Sequence, residues 1–215
     1  MHELCLLGEV SARPWARALE ALRQALLDKD RERSLAAYRD LFRALLAEDA
    51  NDLRTAAAAA LLWEDSALSR AALAGALPRG LRAAAILDLE ALLTQLGRDW
   101  EGEARAVVGG GLPPLADLSQ TPTDERLRDL AEALRAGDAA WLLEHLLASY
   151  RASGSGPLAR YPAVRFEAGA FVGLRQPPQA DLERLVALGS QLERLSANTE
   201  AFLEGRPAQH ALLYG

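Results

Sequence analysis

The 215-residue sequence is poor in several residue types: one cysteine, one lysine, one methionine, and 6% aromatic residues. With Cys5 alone, an intrachain disulfide is excluded, and so is a zinc site built on several thiolates. Cys5 has no neighbouring His or basic residue to depress its pKa, which argues against a catalytic thiolate. Long apolar runs are also missing. The longest, Ala56 to Trp63, is far too short to span a bilayer. The opening segment, Met1 to Gly8, carries no basic leader, and its apolar stretch is too short for a signal peptide. These absences predict a cytoplasmic protein that neither crosses a membrane nor is secreted. Basic charge is scarce as well. The net charge is −6, with 17 basic and 24 acidic residues in 1–150 and 7 and 6 in 151–215. Neither part has the basic footprint of a nucleic-acid binder.

Lys29 stands against 23 arginines, a ratio that fits a GC-rich coding bias. It is the sole candidate for a Schiff-base or phosphate-binding lysine. It lies in the charge run Asp28 to Arg33, which reads as a solvated helix junction. The other chemistry-bearing residues do not assemble. Glu144 and His145 are adjacent, so on a helix they diverge by about 100°. Glu101 and Glu103 also face apart. His2 and His210 have no second ligand in register, and no G-x-S-x-G elbow occurs. Gly109–Gly111 follows a helical segment rather than a strand, and Ser153–Gly156 follows no strand. Both read as loops and not as phosphate cradles. No catalytic residue and no metal ligand is assigned. The four tryptophans, Trp15, Trp63, Trp100 and Trp141, fall on separate helical segments and read as core anchors.

Most of residues 11–150 has helical periodicity. Ser11 with Pro14 predicts a helix start running to about Asp28, with Trp15, Leu19, Leu22 and Leu26 inward. Further helices are expected over about 31–48, from Asn51 or Asp52 through the alanine run, and to about Ala74 after a break near Asp65. Others follow over 78–96 and 100–108, from Thr121 or Thr123 to Ala136, and from an Asp138 cap through Tyr150. The expected fold is mainly α, a multi-helix bundle or set of helical hairpins, occupying residues 1–152. Residues 153–180 read as a linker with a short β-hairpin over Tyr161–Phe166 and Gly169–Leu174. A helical turn over 182–186 follows. Then Ser190 caps an amphipathic helix to about Glu204, with Leu192, Leu195, Thr199, Phe202 and Leu203 as its buried set. Gly205 and Pro207 stop it. The short apolar run Ala211–Tyr214 suits a central parallel strand, or else a frayed strand or helix tip.

Three segments share one resemblance: Asp181 through Gln191, Asn198-Thr-Glu-Ala-Phe-Leu-Glu-Gly-Arg-Pro-Ala208, and Leu212-Leu-Tyr-Gly215. Together they resemble the approach to the P-loop in AAA+ ATPases. More narrowly they are similar to the bacterial ATP-binding family called domain of unknown function eight-fifteen. The resemblance implies that 181–215 is the truncated start of an AAA+-like ATP-binding domain, an α/β P-loop fold whose opening helix and first strand are present. It implies that Gly215 is the first glycine of the phosphate-binding loop. Leu188 and Gly189 would form the turn that packs on adenine. The complete loop, G-x-x-x-x-G-K-[ST], cradles phosphate on backbone N–H groups, and its hydroxyl holds Mg²⁺. No Gly-Lys pair occurs in these 215 residues. The chain as given therefore lacks the ATPase machinery and is not expected to bind a cofactor itself, whereas ATP and Mg²⁺ are implied for a full-length relative.

The resulting expectation is a helical recognition or assembly region of an AAA+-like ATP-binding protein. It would engage a protein partner through its helices, with no nucleic acid and no membrane, and homo-oligomerisation stays open. The alternative is a self-contained α-helical interaction scaffold with no nucleotide cycle. A third possibility is a stand-alone enzyme with a cryptic site.

Overall fold

The computed structural model describes residues 4–118, 124–177 and 188–211. The chain divides into two compact units, Met1–Arg175 and Gln176–Gly215.

Helix starts in the first unit are set by short side chains that accept an N–H two or three residues further on. Asp30 caps α3 (Arg31–Ala47), Asp52 caps α4 (Leu53–Trp63), and Ser66 caps α5 (Ala67–Ala74). Asp99 caps α7 (Trp100–Val108), Asp124 caps α8 (Glu125–Ala136), and Asp138 caps α9 (Ala139–Ser153). Proline opens the remaining helices. It is the first residue of α2 (Pro14–Leu27) and α10 (Pro157–Arg160), and Pro78 precedes α6 (Arg79–Leu96). A one-turn helix, α1 (Gly8–Ser11), precedes them. Gly137 ends α8 in the left-handed conformation that glycine tolerates. Lys29 and Asp49 end α2 and α3 in that same conformation without being glycine, at φ 54° and 56°. Each is closed by two N–H bonds back to the last turn.

The longest-packed pair is the α2–α3 hairpin, against which α7 lies. The alanine run of α4 buries Ala56, Ala57, Ala58 and Ala60, and these small side chains let α8 and α9 approach closely. Helices α5, α6 and α8 pack on α9. One cluster holds Trp15, Tyr38, Leu41, Leu45, Leu89, Leu92, Leu130 and Leu146, all fully buried. Each such side chain contributes about 1.5–3 kcal/mol by leaving water. The two buried tyrosines find acceptors. Tyr150 donates to the Leu61 carbonyl at 2.6 Å, at the end of α4, and Tyr38 donates to the Pro113 carbonyl at 2.5 Å. Burial pushes both phenols up, Tyr38 to about 12 with the Glu101 carboxylate adding to the effect.

The glycine-rich segment 109–118 is a loop, and it is sewn down. Leu112 and Leu115 are buried, Glu101 accepts the Leu115 N–H at 3.2 Å, and Asn51 accepts that of Leu118 at 3.1 Å.

After α9, strands β1 (Ala163–Glu167) and β2 (Ala170–Leu174) pair antiparallel, Ala163 opposite Leu174 and Glu167 opposite Ala170. Ala168 and Gly169 between them both have positive φ, the geometry of a tight primed turn. The Tyr161 ring lies over Gly173, where a Cβ would collide with it.

In the second unit, α11 (Gly189–Leu203) is followed by Gly205 in the left-handed conformation, with the Arg206 N–H returning to the Ala201 carbonyl at 2.8 Å.

The architecture is the mainly helical one the periodicity predicts, with the hairpin in place. Several details differ. Ser11 closes α1 by donating to the Gly8 carbonyl, and Arg13 stands at the start of α2 instead. The α8 cap is Asp124, while Thr121 and Thr123 lie outside the described residues. Ser190 does not cap α11. Its hydroxyl donates to Gln191, and the helix starts at Gly189, two residues earlier than a Ser190 cap implies, without a side-chain cap. Trp141 is 51% exposed, stacked on His145 at 5.2 Å rather than in the core. Phe202 and Leu203 are 72% and 77% exposed, and Ala201 is the buried residue of α11. An amphipathic pattern states which face can be buried, and here no described element of the same unit covers it. The expected turn at 182–186 and the strand at 212–214 fall outside the described residues.

Candidate functional site

Three places carry more polar organisation than packing alone requires. The first is the N-terminal strap, residues 4–11. Asp88, in the middle of α6, is 4% exposed. Its Oδ1 accepts the Cys5 N–H at 3.0 Å, and its Oδ2 accepts those of Leu6 and Leu7 at 2.7 and 3.1 Å. A buried carboxylate satisfied by three backbone donors is a strong, charge-assisted clasp. Asp88 falls among Ala85, Leu89 and Leu92 on the inward face of α6, which is the signal by which the sequence could have revealed it.

The second is the joint between the helices and the hairpin. Arg126 of α8 donates to the Ala159 carbonyl at 3.0 Å. The Arg160 guanidinium lies 4.6 Å from the Trp63 ring and 5.2 Å from the Tyr161 ring. Asp49 faces Arg175 at 3.7 Å. Asp124 is held below the usual carboxylate range. Burial opposes this, but the Arg126 hydrogen bond and charge, with two backbone N–H groups, outweigh it.

The third is the C-terminal end of α11. Asn198 clasps the chain coming back past it, donating to the Gln209 carbonyl at 2.7 Å and accepting its N–H at 2.8 Å. Asn198, Thr199, Phe202, Ala208, Gln209 and His210 line an open pocket of about 250 Å³. Its polar groups are largely spent within the protein: the Thr199 hydroxyl donates to the Leu195 carbonyl at 2.8 Å.

The residues that the sequence singled out are placed as follows. Leu188 and Gly189 form the start of α11, at the opposite end of that helix from the pocket. Gly215 lies outside the described residues. Lys29 is exposed in the α2–α3 turn, flanked by the Arg33–Asp28 ion pair at 2.9 Å, as a solvated junction. Glu144 pairs with Arg82 of α6 while His145 stacks on Trp141, so the two neighbours diverge. Cys5 is exposed and free. Among the described residues, no group of three or more His, Cys, Asp or Glu could hold a metal ion, and no helix is long and apolar enough to cross a membrane.

Comparison with curated proteins and with solved structures gives no match. Residues 159–215, from the joint through α11 to the last residue, match the family model described as "Protein of unknown function (DUF815)".

Proposed function

We propose that this chain is the helical recognition or assembly region of an AAA+-like ATP-binding protein, together with the lead-in to its nucleotide-binding domain. The observation that supports it is the family match over 159–215, in the stretch where the sequence pattern approaches a P-loop. The exposed apolar side chains of α11, Phe202 and Leu203 with Leu188, fit a helix made to be covered by more of such a domain. The nucleotide chemistry belongs to a G-K-[ST] loop that these 215 residues do not contain, with ATP and Mg²⁺ as its ligands. In this reading Gly215 opens that loop, Leu188 and Gly189 flank the adenine, and the protein works in the cytoplasm on a protein partner. The helical unit, with its capped helices and continuous core, is the rigid platform that such recognition needs.

Two measurements test the reading. Isothermal titration of the 215-residue chain with Mg·ATP gives no saturable heat, and micromolar binding would overturn the view that the loop is missing. The reading frame past the Gly215 codon encodes G-K-[ST] within a few codons. A frame without it leaves the second reading, a self-contained helical scaffold with no nucleotide cycle.

A further inference from the structure

The hairpin is anchored at one end and open at the other. Ala163 and Val164 are half-buried, whereas Arg165, Phe166 and Glu167 are exposed. Strand β2 mirrors this, exposed from Ala170 to Val172 and half-buried at Gly173 and Leu174. Phe166 and Phe171 face each other across the strands, 66% and 54% exposed, with ring centroids 5.4 Å apart. A two-stranded ribbon is marginal in water, and a third strand with an apolar face makes it stable. The backbone offers a place for one. The two-residue turn Ala168–Gly169 is closed by the Glu167–Ala170 pair, so Glu167, Arg165 and Ala163 turn their N–H and C=O groups towards β2. Those of Val164 and Phe166 point to the outer edge of β1. Among the described residues, none of these outward groups has a partner.

We propose that the outer edge of β1 is a self-association site, at which β1 of a second copy of this chain pairs antiparallel about Phe166. An open edge pairs with another strand unless charge or proline blunts it. Here the charges are of opposite sign, and they select a register. With the two-fold axis at Phe166, Arg165 stands opposite Glu167 of the second copy, and Glu167 opposite its Arg165. Moving the axis one residue sets Arg165 against Arg165, or Glu167 against Glu167. Strand β2 has no charged residue with which to fix a register. The axis at Phe166 also joins the two Phe166 backbones by a pair of N–H···O=C bonds. It brings Phe171, Phe166 and their two counterparts into one row on one face of a four-stranded sheet, covering rings that a single hairpin leaves in water. The Arg165–Glu167 ion pair, 2.6 Å within one strand, is exchanged for two such pairs between copies. Exposed pairs add little energy, so the rings supply the apolar area and the charges supply orientation. The contact is the same patch on both copies, as a closed two-fold dimer requires. The inference does not depend on the nucleotide-binding reading.

Sedimentation equilibrium of the full chain and its charge variants tests the site. The wild type should show a monomer–dimer equilibrium with a dissociation constant of about 10–100 µM, the weak range of a small interface. Arg165→Glu and Glu167→Arg should each weaken association at least ~10-fold, because each sets like charges opposite one another. An equimolar mixture of the two single variants should associate again, and so should the chain that carries both changes. Phe202→Asp, in the second unit, should leave the dimer unchanged. All three side chains are exposed, so these variants keep the fold. A wild-type chain that stays monomeric up to ~500 µM overturns the proposal and leaves Phe166 and Phe171 to a different partner. Single variants that associate like the wild type overturn it too, as does a mixture that stays monomeric or a dimer lost in Phe202→Asp. None of these results bears on nucleotide binding, so failure here leaves the proposed function to be decided by the titration and the reading frame.

Discussion

The two units of this chain treat their apolar residues differently. In the first, Trp15, Tyr38 and Tyr150 are sealed from water, and even the glycine-rich loop is pinned by Leu112 and Leu115. In the second, a helix with an equally clear apolar face leaves Phe202 and Leu203 in solvent. The apolar periodicity is alike, and what differs is whether another described element packs on it. Amphipathicity is thus an offer of a surface, and burial depends on whether another element accepts it. The first unit is a finished core. The second leaves large apolar side chains of its helix in water.

The sharpest way to break this contrast is paired truncation. Trp15→Ala should cost about 3–5 kcal/mol in chemical denaturation, the range for emptying a large aromatic site. Phe202→Ala should change stability by less than about 0.5 kcal/mol, as for a surface change. A large loss at Phe202 would show that α11 is buried in solution. Next is Tyr150→Phe, which keeps the ring and strands the Leu61 carbonyl at the end of α4. It should cost about 1–3 kcal/mol, read as a lowered denaturation midpoint.

The buried phenols also set an alkaline limit. A pKa raised in the folded state contributes stability that is complete below the ordinary value of 10.0 and is lost as pH rises through the folded value. Unfolding midpoints should therefore fall above pH 10, with Tyr38 losing its share towards about 12. The Tyr38→Phe, Tyr150→Phe double variant should show a flatter decline. At the opposite end of the scale, Asp124, held low, contributes above 3.8 and loses that contribution as pH falls further; Asp124→Asn should remove this small acid slope. One substitution should bring a gain. Lys29→Gly relieves a left-handed non-glycine residue and should raise stability by about 1 kcal/mol or less.

Much of the first unit was legible in the sequence because its signals are local. An aspartate three residues before an N–H it caps, a glycine after a last turn, and leucines at three or four residue intervals are all relations within one helical turn. They placed α3, α4, α7 and α9 nearly to the residue, and the alternation around Gly169 placed the hairpin. Even local signals misled where one helix ends just before another begins. Ser11 is the last residue of α1, and it is Arg13 that stands before Pro14 at the start of α2.

The sequence by itself determined where helices and turns form, the scarcity of thiol and lysine chemistry, and the resemblance in the last residues, because each is written in neighbouring positions. Only the tertiary structure decided that Asp88 would clasp a strap 81–83 residues away, that Arg160 would lie against Trp63 and Tyr161, and that Phe202 would stay in water. Those outcomes depend on which elements meet. The spacing along α6 marks Asp88 as inward-facing but not which N–H groups it meets, and an apolar stripe looks the same whether or not something covers it.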